Sequence, residues 1–317
     1  MTRTTSLFHA RTNRRSLLKL ASTGASAGLC GAVTANESTF DLAARPYQPL
    51  RVLGMGDPQI GCPFGDWARN VPAAMADIQG LDHDLHVVVG DLVQNDASYY
   101  LDYESLILQQ SPALVHSLAG NGDVGAGLGS YYAATGFSDL HHAYLRGIRL
   151  IYLGTTFMSP PPPGNQHICH LGPAQLEEFA ELLAADTTTT TLVFGHAPIQ
   201  DTTFRSSFQS DLKEMWLAES AEVQRLFDEY ANVVFYGSGH VHYDYGVVDA
   251  FGQDGWHVDR GRGVIHHSIG DACTGHGSTV IEVFPDGIRL RVRDHQSGQG
   301  RWRPAFERWY PLFTTLV

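Results

Sequence analysis

Short apolar runs of strand length recur along this chain, and five of them end in Gly followed by residues with oxygen or nitrogen donors. Leu50-Arg51-Val52-Leu53 leads to Gly56-Asp57-Pro58-Gln59, and His86-Val87-Val88-Val89 leads to Gly90-Asp91 with Gln94-Asn95 just beyond. Residues 113–118 lead to Gly120-Asn121-Gly122-Asp123. Thr191-Leu192-Val193-Phe194 leads to Gly195-His196-Ala197-Pro198, and Val233-Val234-Phe235-Tyr236 to Gly239-His240-Val241-His242. Apolar, β-branched runs bounded by Gly and polar turns predict buried strands.

Between these runs the apolar period lengthens to that of a helix. Trp67, Val71, Met75 and Ile78 predict a helix over 66–80 that covers the first sheet. A second helix is expected over 99–110. Pro173 stands at the first turn of an amphipathic helix carrying Leu176, Phe179, Leu182 and Leu183, and another helix spans 221–230. Residues 145–153, with Arg146-Gly147, predict a hairpin. Candidate strands at 245–250, 263–268, 278–284 and 287–293 suggest a second sheet late in the chain. Residues 124–140 are rich in Gly, Ser and Tyr and read as a loop beside the site, and Pro160 to Pro163 as a stiff polyproline segment in a surface loop. With no internal repeat and no long linker, residues 36–317 read as one domain.

In open α/β sheets, ligands bind beyond the carboxyl ends of the strands, so five such ends can converge on one crevice. The side chains they would bring together are Asp57, Gln59, Asp91, Asn121, His196, His240 and His242. This mixed oxygen and nitrogen set, without Cys, suits Fe, Mn or Zn. Seven donors exceed one tetrahedral ion and fit two metals sharing a carboxylate, as in two-metal hydrolases.

These motifs resemble those of the calcineurin-like metallophosphoesterases, whose pattern is D-x-H, G-D-x-x, G-N-H-D/E, a lone His and G-H-x-H. The resemblance covers about residues 50 to 294. It implies an α/β fold of two mixed sheets packed face to face with helices on the outer faces. It also implies two divalent or trivalent ions. Asp57, Gln59 and His242 would hold the first, Asn121, His196 and His240 the second, and Asp91 would bridge. Two positions depart from the pattern. Gln59 replaces a His ligand with a neutral amide oxygen. Gly122 replaces the His that the family uses near the leaving-group oxygen, and general acids of that kind typically contribute 10²–10⁴-fold. Asp123, His116, His141 and His142 are the candidate substitutes. Arg205, in the loop after His196, is placed to bind a substrate phosphate bidentately; Tyr243 and Asp244 follow the His pair and either support it or, for Tyr243, pack in the core. His266, His267 and His276 lie outside the motifs and read as structural.

The N-terminus changes the picture of location. Thr12-Asn13-Arg14-Arg15-Ser16-Leu17-Leu18-Lys19 is a twin-arginine pattern, followed by an apolar, small-residue stretch to Val33. It reads as an export signal of residues 1–35 and implies a periplasmic or secreted protein. The stretch is too short and too rich in Gly and Ser for a membrane anchor. Five of the 21 basic residues and none of the 33 acidic ones lie in residues 1–35, so the remainder carries a formal charge of −17. Such a surface repels phosphate backbones and argues against a nucleic-acid partner. Cys62, Cys169 and Cys273 form no metal-spacing motif, and a sparse, odd set is not a disulfide framework. The composition, 43% hydrophobic and 17% charged, is that of a globular domain with a large core.

The reading is an exported dinuclear-metal phosphoesterase. Asp91, Asn121 and Asp123 are its catalytic candidates and a small phosphorylated molecule its substrate. The alternative is a metal- or phosphate-binding protein on the same fold with little or no catalysis, because Gly122 stands where the family has His.

Overall fold

The computed structural model describes residues 48–159, 168–203, 206, 215–243, 255–259, 263–275, 277–295 and 300–312. The expected strand 245–250, Pro160 to Pro163, Arg205, Asp244, His276 and the export signal lie outside the described residues.

Two mixed sheets form the frame. In the first, β1 (Leu50–Met55), β2 (Leu85–Val89) and β3 (Leu114–Leu118) run parallel. β1 also pairs antiparallel with β12 (Ser278–Phe284), β12 with β13 (Gly287–Asp294), and β13 with β14 (Arg301–Trp302) and β15 (Arg308–Pro311). The second sheet runs β10 (Trp256–Asp259), β11 (Val264–Ser268), β9 (Val233–Ser238), β8 (Thr191–Gly195), β5 (Ile148–Leu153), β4 (Leu140–Leu145). β11, β9, β8 and β5 are parallel, with β10 and β4 antiparallel at the edges. A two-stranded ribbon, β6 (Phe157–Ser159) and β7 (Ile168–His170), stands apart from both sheets.

Alternation along each strand explains the layering. Leu50 and Val52 of β1, Val87 and Val89 of β2, Leu150 and Tyr152 of β5 and Leu192 and Phe194 of β8 share one core between the sheets. Their neighbours point the other way. Leu53, Met55 and Val88 pack with Val71, Ala74, Met75 and Ile78 of the helix Trp67–Ile78. Ile151, Leu153 and Val193 pack with Phe179 and Leu183 of the helix Pro173–Ala185 and with Val223 and Phe227 of the helix Ser220–Glu229. Successive side chains of a strand face opposite sides, so strands apolar at every position sit between two cores, and three cores separate four layers. The architecture is the one the resemblance implies.

Three expectations need correction. The late strands do not make a separate sheet: β12 and β13 extend the first sheet from β1, while β11 joins the second. The helix over 99–110 is composite, a 3₁₀ turn Ala97–Tyr99, an α turn Tyr100–Tyr103 and a π segment Glu104–Leu108. Its rings are anchored from below, with Tyr100 Oη donating to Asp123 Oδ1 at 2.8 Å and Tyr103 Oη bonded to Ser117 Oγ. Residues 124–140 are not an open loop. They contain the end of the helix Asn121–Ala126 and the whole helix Leu128–Thr135, and Gly127 at φ 95° turns the chain between them. Tyr131 is buried and donates to the Ser117 carbonyl at 2.7 Å, which ties this segment to β3. The hairpin at 145–153 joins β4 to β5 through Arg146 (φ 52°) and Gly147 (φ 77°), the paired positive φ of a tight hairpin turn. Among the described residues, no helix is long and apolar enough to cross a membrane.

Candidate metal centre

The carboxyl ends of β1, β2, β3, β8 and β9 carry the five motifs, and backbone hydrogen bonds lace their loops together. Gln59 N–H donates to Asp91 O at 2.8 Å, Asn95 N–H to Gly122 O at 3.2 Å, and Gly239 N–H to His196 O at 2.9 Å. Asp57, Gln59, Asp91, Asn95, His240 and His242 all adopt positive φ, between 38 and 68°, although none is Gly. Such backbone strain concentrates where surrounding structure fixes functional side chains.

Asp57 is fully buried, and both its oxygens accept the His240 backbone N–H, at 2.9 and 3.1 Å. His242 Nε2 lies 3.7 Å from Asp57 Oδ1 on a half-buried ring. Asp91 accepts Gln59 Nε2 at 2.9 Å on Oδ2 and the Gly122 N–H at 2.6 Å on Oδ1, and His196 Nε2 stands 3.4 Å from Oδ1. Asp123 Oδ2 accepts the N–H groups of Gly120 (2.9 Å) and Leu92 (3.1 Å), with Tyr100 Oη on Oδ1. Those three donors make Asp123 a brace between the second and third motif loops.

The electrostatics suit bound cations. Burial, then the charges of Asp91 and Asp271, pushes the Asp57 carboxyl well above the usual carboxylate range. Burial and Asp91 push Asp123 up to about 7. Burial also resists ionisation of Asp91, but His196, His240 and the donors Gln59 and Gly122 hold it below the usual value. Burial holds the His196 imidazole low against the pull of Asp91. Buried charges are stable when paired or bound to metal. The ion-pair partners of Asp57 and Asp91 among the described residues are imidazoles.

The donor atoms meet at metal-ligand spacing. One atom each of Asp57, Asp91 and His196 lie within 4.8 Å of one another, and so do one each of Cys169, His196 and His240. The tautomer of His196 fits. Its Nδ1 lies 2.8 Å from the Val89 carbonyl and must donate to it, leaving the Nε2 lone pair 2.9 Å from Asn121 Oδ1, also an acceptor. A cation placed against both atoms would take the lone pair of each.

The motif glycines leave the room this packing needs. A Cβ at Gly239 would strike Asp57 Oδ2, and one at Gly120 would strike the Asp91 carboxylate. A Cβ at Gly122 would collide with the Val93 carbonyl oxygen. A side chain in place of the family His is therefore excluded here by close backbone approach.

The candidate substitutes for that His stand elsewhere. His116 is buried in a stack with Phe137, His141 and Tyr152, at centroid distances of 4.9, 5.6 and 4.8 Å. His141 is part of this stack, while His142 lies on the exposed side of β4. His266 and His267 are buried on β11, with His267 Nε2 2.8 Å from Thr279 Oγ1, and Tyr243 is buried in the inter-sheet core. Two residues escaped sequence reasoning. Asp271 follows β11 in Ile269-Gly270-Asp271, the same Gly-Asp strand end as Gly90-Asp91, and that repetition was the available signal. Cys169 lies on the short strand β7, where nothing in the sequence points toward the His pair.

No family model matches the chain, and no curated protein does. Solved structures match its fold. A dimetal phosphatase from Danio rerio superposes with a TM-score of 0.64 at 12% identity, covering 83% of this chain and 99% of that one. GAP50 of Plasmodium, described as the anchor in the inner membrane complex, gives 0.58 at 12% identity over 85% and 90%. Purple acid phosphatase PPD1 from yellow lupin, Lupinus luteus, gives 0.56 at 16% identity over 81% and 54%. With its four layers and its motif-bearing strand ends, the chain has the calcineurin-like metallophosphoesterase fold.

Proposed function

We propose that the protein is a dinuclear-metal phosphoesterase acting on a small phosphorylated molecule, as a mono- or diester. The observation that carries this reading is the set of buried carboxylates and imidazoles at metal-ligand spacing. Asp57, Gln59 and His242 are assigned to the first ion, Asn121, His196 and His240 to the second, and Asp91 to both. The amide of Gln59 gives its N–H to Asp91, leaving its carbonyl oxygen as the metal donor. Two bound ions supply Lewis acidity to the phosphoryl oxygens and lower the pKa of water toward 7. Asp91 orients and balances the pair, His196 is fixed by Val89, and Asp123 braces the loops that present Asp91 and Asn121. Arg205 is assigned to the substrate phosphate. The neighbours described as phosphatases support the hydrolase reading.

Export completes the proposal: residues 1–35 direct the protein through the twin-arginine route and are removed. The formal charge of −17 on the remainder supports a small substrate over a nucleic acid.

The test is hydrolysis of nitrophenyl phosphate and bis-nitrophenyl phosphate by protein loaded with zinc, manganese or iron. Turnover that chelation abolishes, metal restores and Asp91→Asn removes is the expected result. Absence of turnover with both metal positions filled selects the second reading, a metal- or phosphate-binding protein. The packing of Gly122 against Val93 favours that reading, since it leaves no place for the family acid.

A further inference from the structure

Cys169 sits among the donors of the second metal position. Its Sγ lies within 4.8 Å of the ligand atoms of His196 and His240, and 3.8 Å from Asn121 Oδ1. The residue is fully buried. Its backbone is held on both sides, by Met158 across the β6–β7 ribbon and by Ala218 N–H, which donates to Cys169 O at 3.0 Å. The thiol therefore lies within ligand reach of Asn121, His196 and His240.

From this geometry we infer that Cys169 is a thiolate ligand of the second metal ion and makes that position selective for zinc. The inference rests on the dinuclear-metal reading and deepens it. Coordination exchanges the S–H bond for a sulfur–metal bond, and the proton leaves to solvent; a coordinating thiol is deprotonated outright. A soft sulfur beside two imidazoles suits Zn, whereas Mn and Mg take harder oxygen donors. With Asn121, His196, His240, Cys169 and the shared Asp91, the second position receives five protein donors.

The experiment is zinc-edge X-ray absorption on the full-length, zinc-loaded protein, alongside the isosteric variant Cys169→Ser and the controls Cys62→Ser and Cys273→Ser. The expected spectrum contains a sulfur shell at about 2.3 Å, against about 2.0–2.2 Å for nitrogen and oxygen ligands. That shell disappears in Cys169→Ser and persists in both controls. Loss of an outer-shell partner typically costs roughly 10–100-fold in metal affinity. Loss of the sulfur ligand is expected to cost at least about tenfold in zinc affinity and to leave manganese affinity nearly unchanged. Two bound zinc ions with only nitrogen and oxygen neighbours in the wild type would overturn the thiolate and leave the metal reading standing. A sulfur shell that survives Cys169→Ser would also overturn it. Refusal of zinc while manganese or iron fills both positions would overturn the thiolate alone, and failure to bind any of the three metals would overturn both.

Discussion

The carboxylate of Asp57 grips the backbone N–H of His240 with both oxygens, at 2.9 and 3.1 Å, across 183 residues of chain. One bond thus joins the first motif to the last and the first sheet to the second. It also fixes the backbone of His240 beside the Asp57 carboxylate, so the fold and the candidate ligand set depend on the same contact.

Gly239 should be sensitive for this reason. Gly239→Ala puts a Cβ against Asp57 Oδ2, so Asp57 must move or His240 must. The expected outcome is loss of at least one metal per chain, with overpacking costing roughly 1–3 kcal/mol of stability. Metal analysis and urea unfolding check it, and a variant with both metals and wild-type stability would show that the loops have slack.

Gly122 yields two linked expectations. Gly122→His does not restore the family acid, because its Cβ meets the Val93 carbonyl and its N–H is committed to Asp91. The variant is expected to lose metal and stability instead of gaining activity toward alkyl esters. In the wild type, departure of a poor leaving group lacks proton assistance, so turnover should fall steeply with rising leaving-group pKa. A flat dependence, with chemistry shown to limit the rate, would require a substitute acid that the stacked His116 and His141 do not provide.

Acid should unfold the protein early. Burial holds His86 at about 3, and His116 at about 4. Burial, chiefly, and the neighbouring His116 hold His141 at about 3, and burial holds His267 at about 3. Each is neutral in the folded chain and protonates in the unfolded chain near 6.5, so the unfolded state binds more protons below that pH. Stability is then fully present above about 6.5 and is lost as pH falls toward 4, by up to about 1.4 kcal/mol per histidine per pH unit. The raised carboxyls oppose this, namely Asp57, Asp123 (pushed up to about 7) and Asp139, against four deeply buried histidines. Urea midpoints at pH 7.5, 6.0 and 5.0 should fall in that order; equal midpoints would mean these histidines protonate within the fold.

Much of this was legible in the sequence because strand ends are local. An apolar run stopping at Gly-Asp or Gly-His declares both the element and the donor it presents. Asp57, Gln59, Asp91, Asn121, His196, His240 and His242 could be named as candidate donors on that basis. What the sequence concealed depends on pairing between distant segments. Cys169 reaches the site only because the β6–β7 ribbon places it there. The exclusion of a side chain at Gly122 depends on the carbonyl of Val93, and nothing in Gly-Asn-Gly-Asp announces that contact. The late strands read as a sheet of their own, since periodicity reveals a strand but not its neighbour, and β12 chose β1.

The export proposal has its own check. Arg14→Lys with Arg15→Lys should leave the precursor in the cytoplasm, while the wild type should appear outside it with a new N-terminus after Ala35. Normal export of the double variant would remove the twin-arginine reading without touching the metal centre.

Asp91 is assigned to both metal ions of one buried site, and metal stoichiometry tests that assignment. Protein matured in its own compartment, Asp91→Ala and Gln59→Ala should be compared by elemental analysis after exhaustive removal of loosely bound ions. The account predicts close to two ions per wild-type chain, depletion at both positions in Asp91→Ala, and depletion at one in Gln59→Ala. Asp91→Ala retaining both ions at full occupancy, or a folded wild type that binds none, would contradict it.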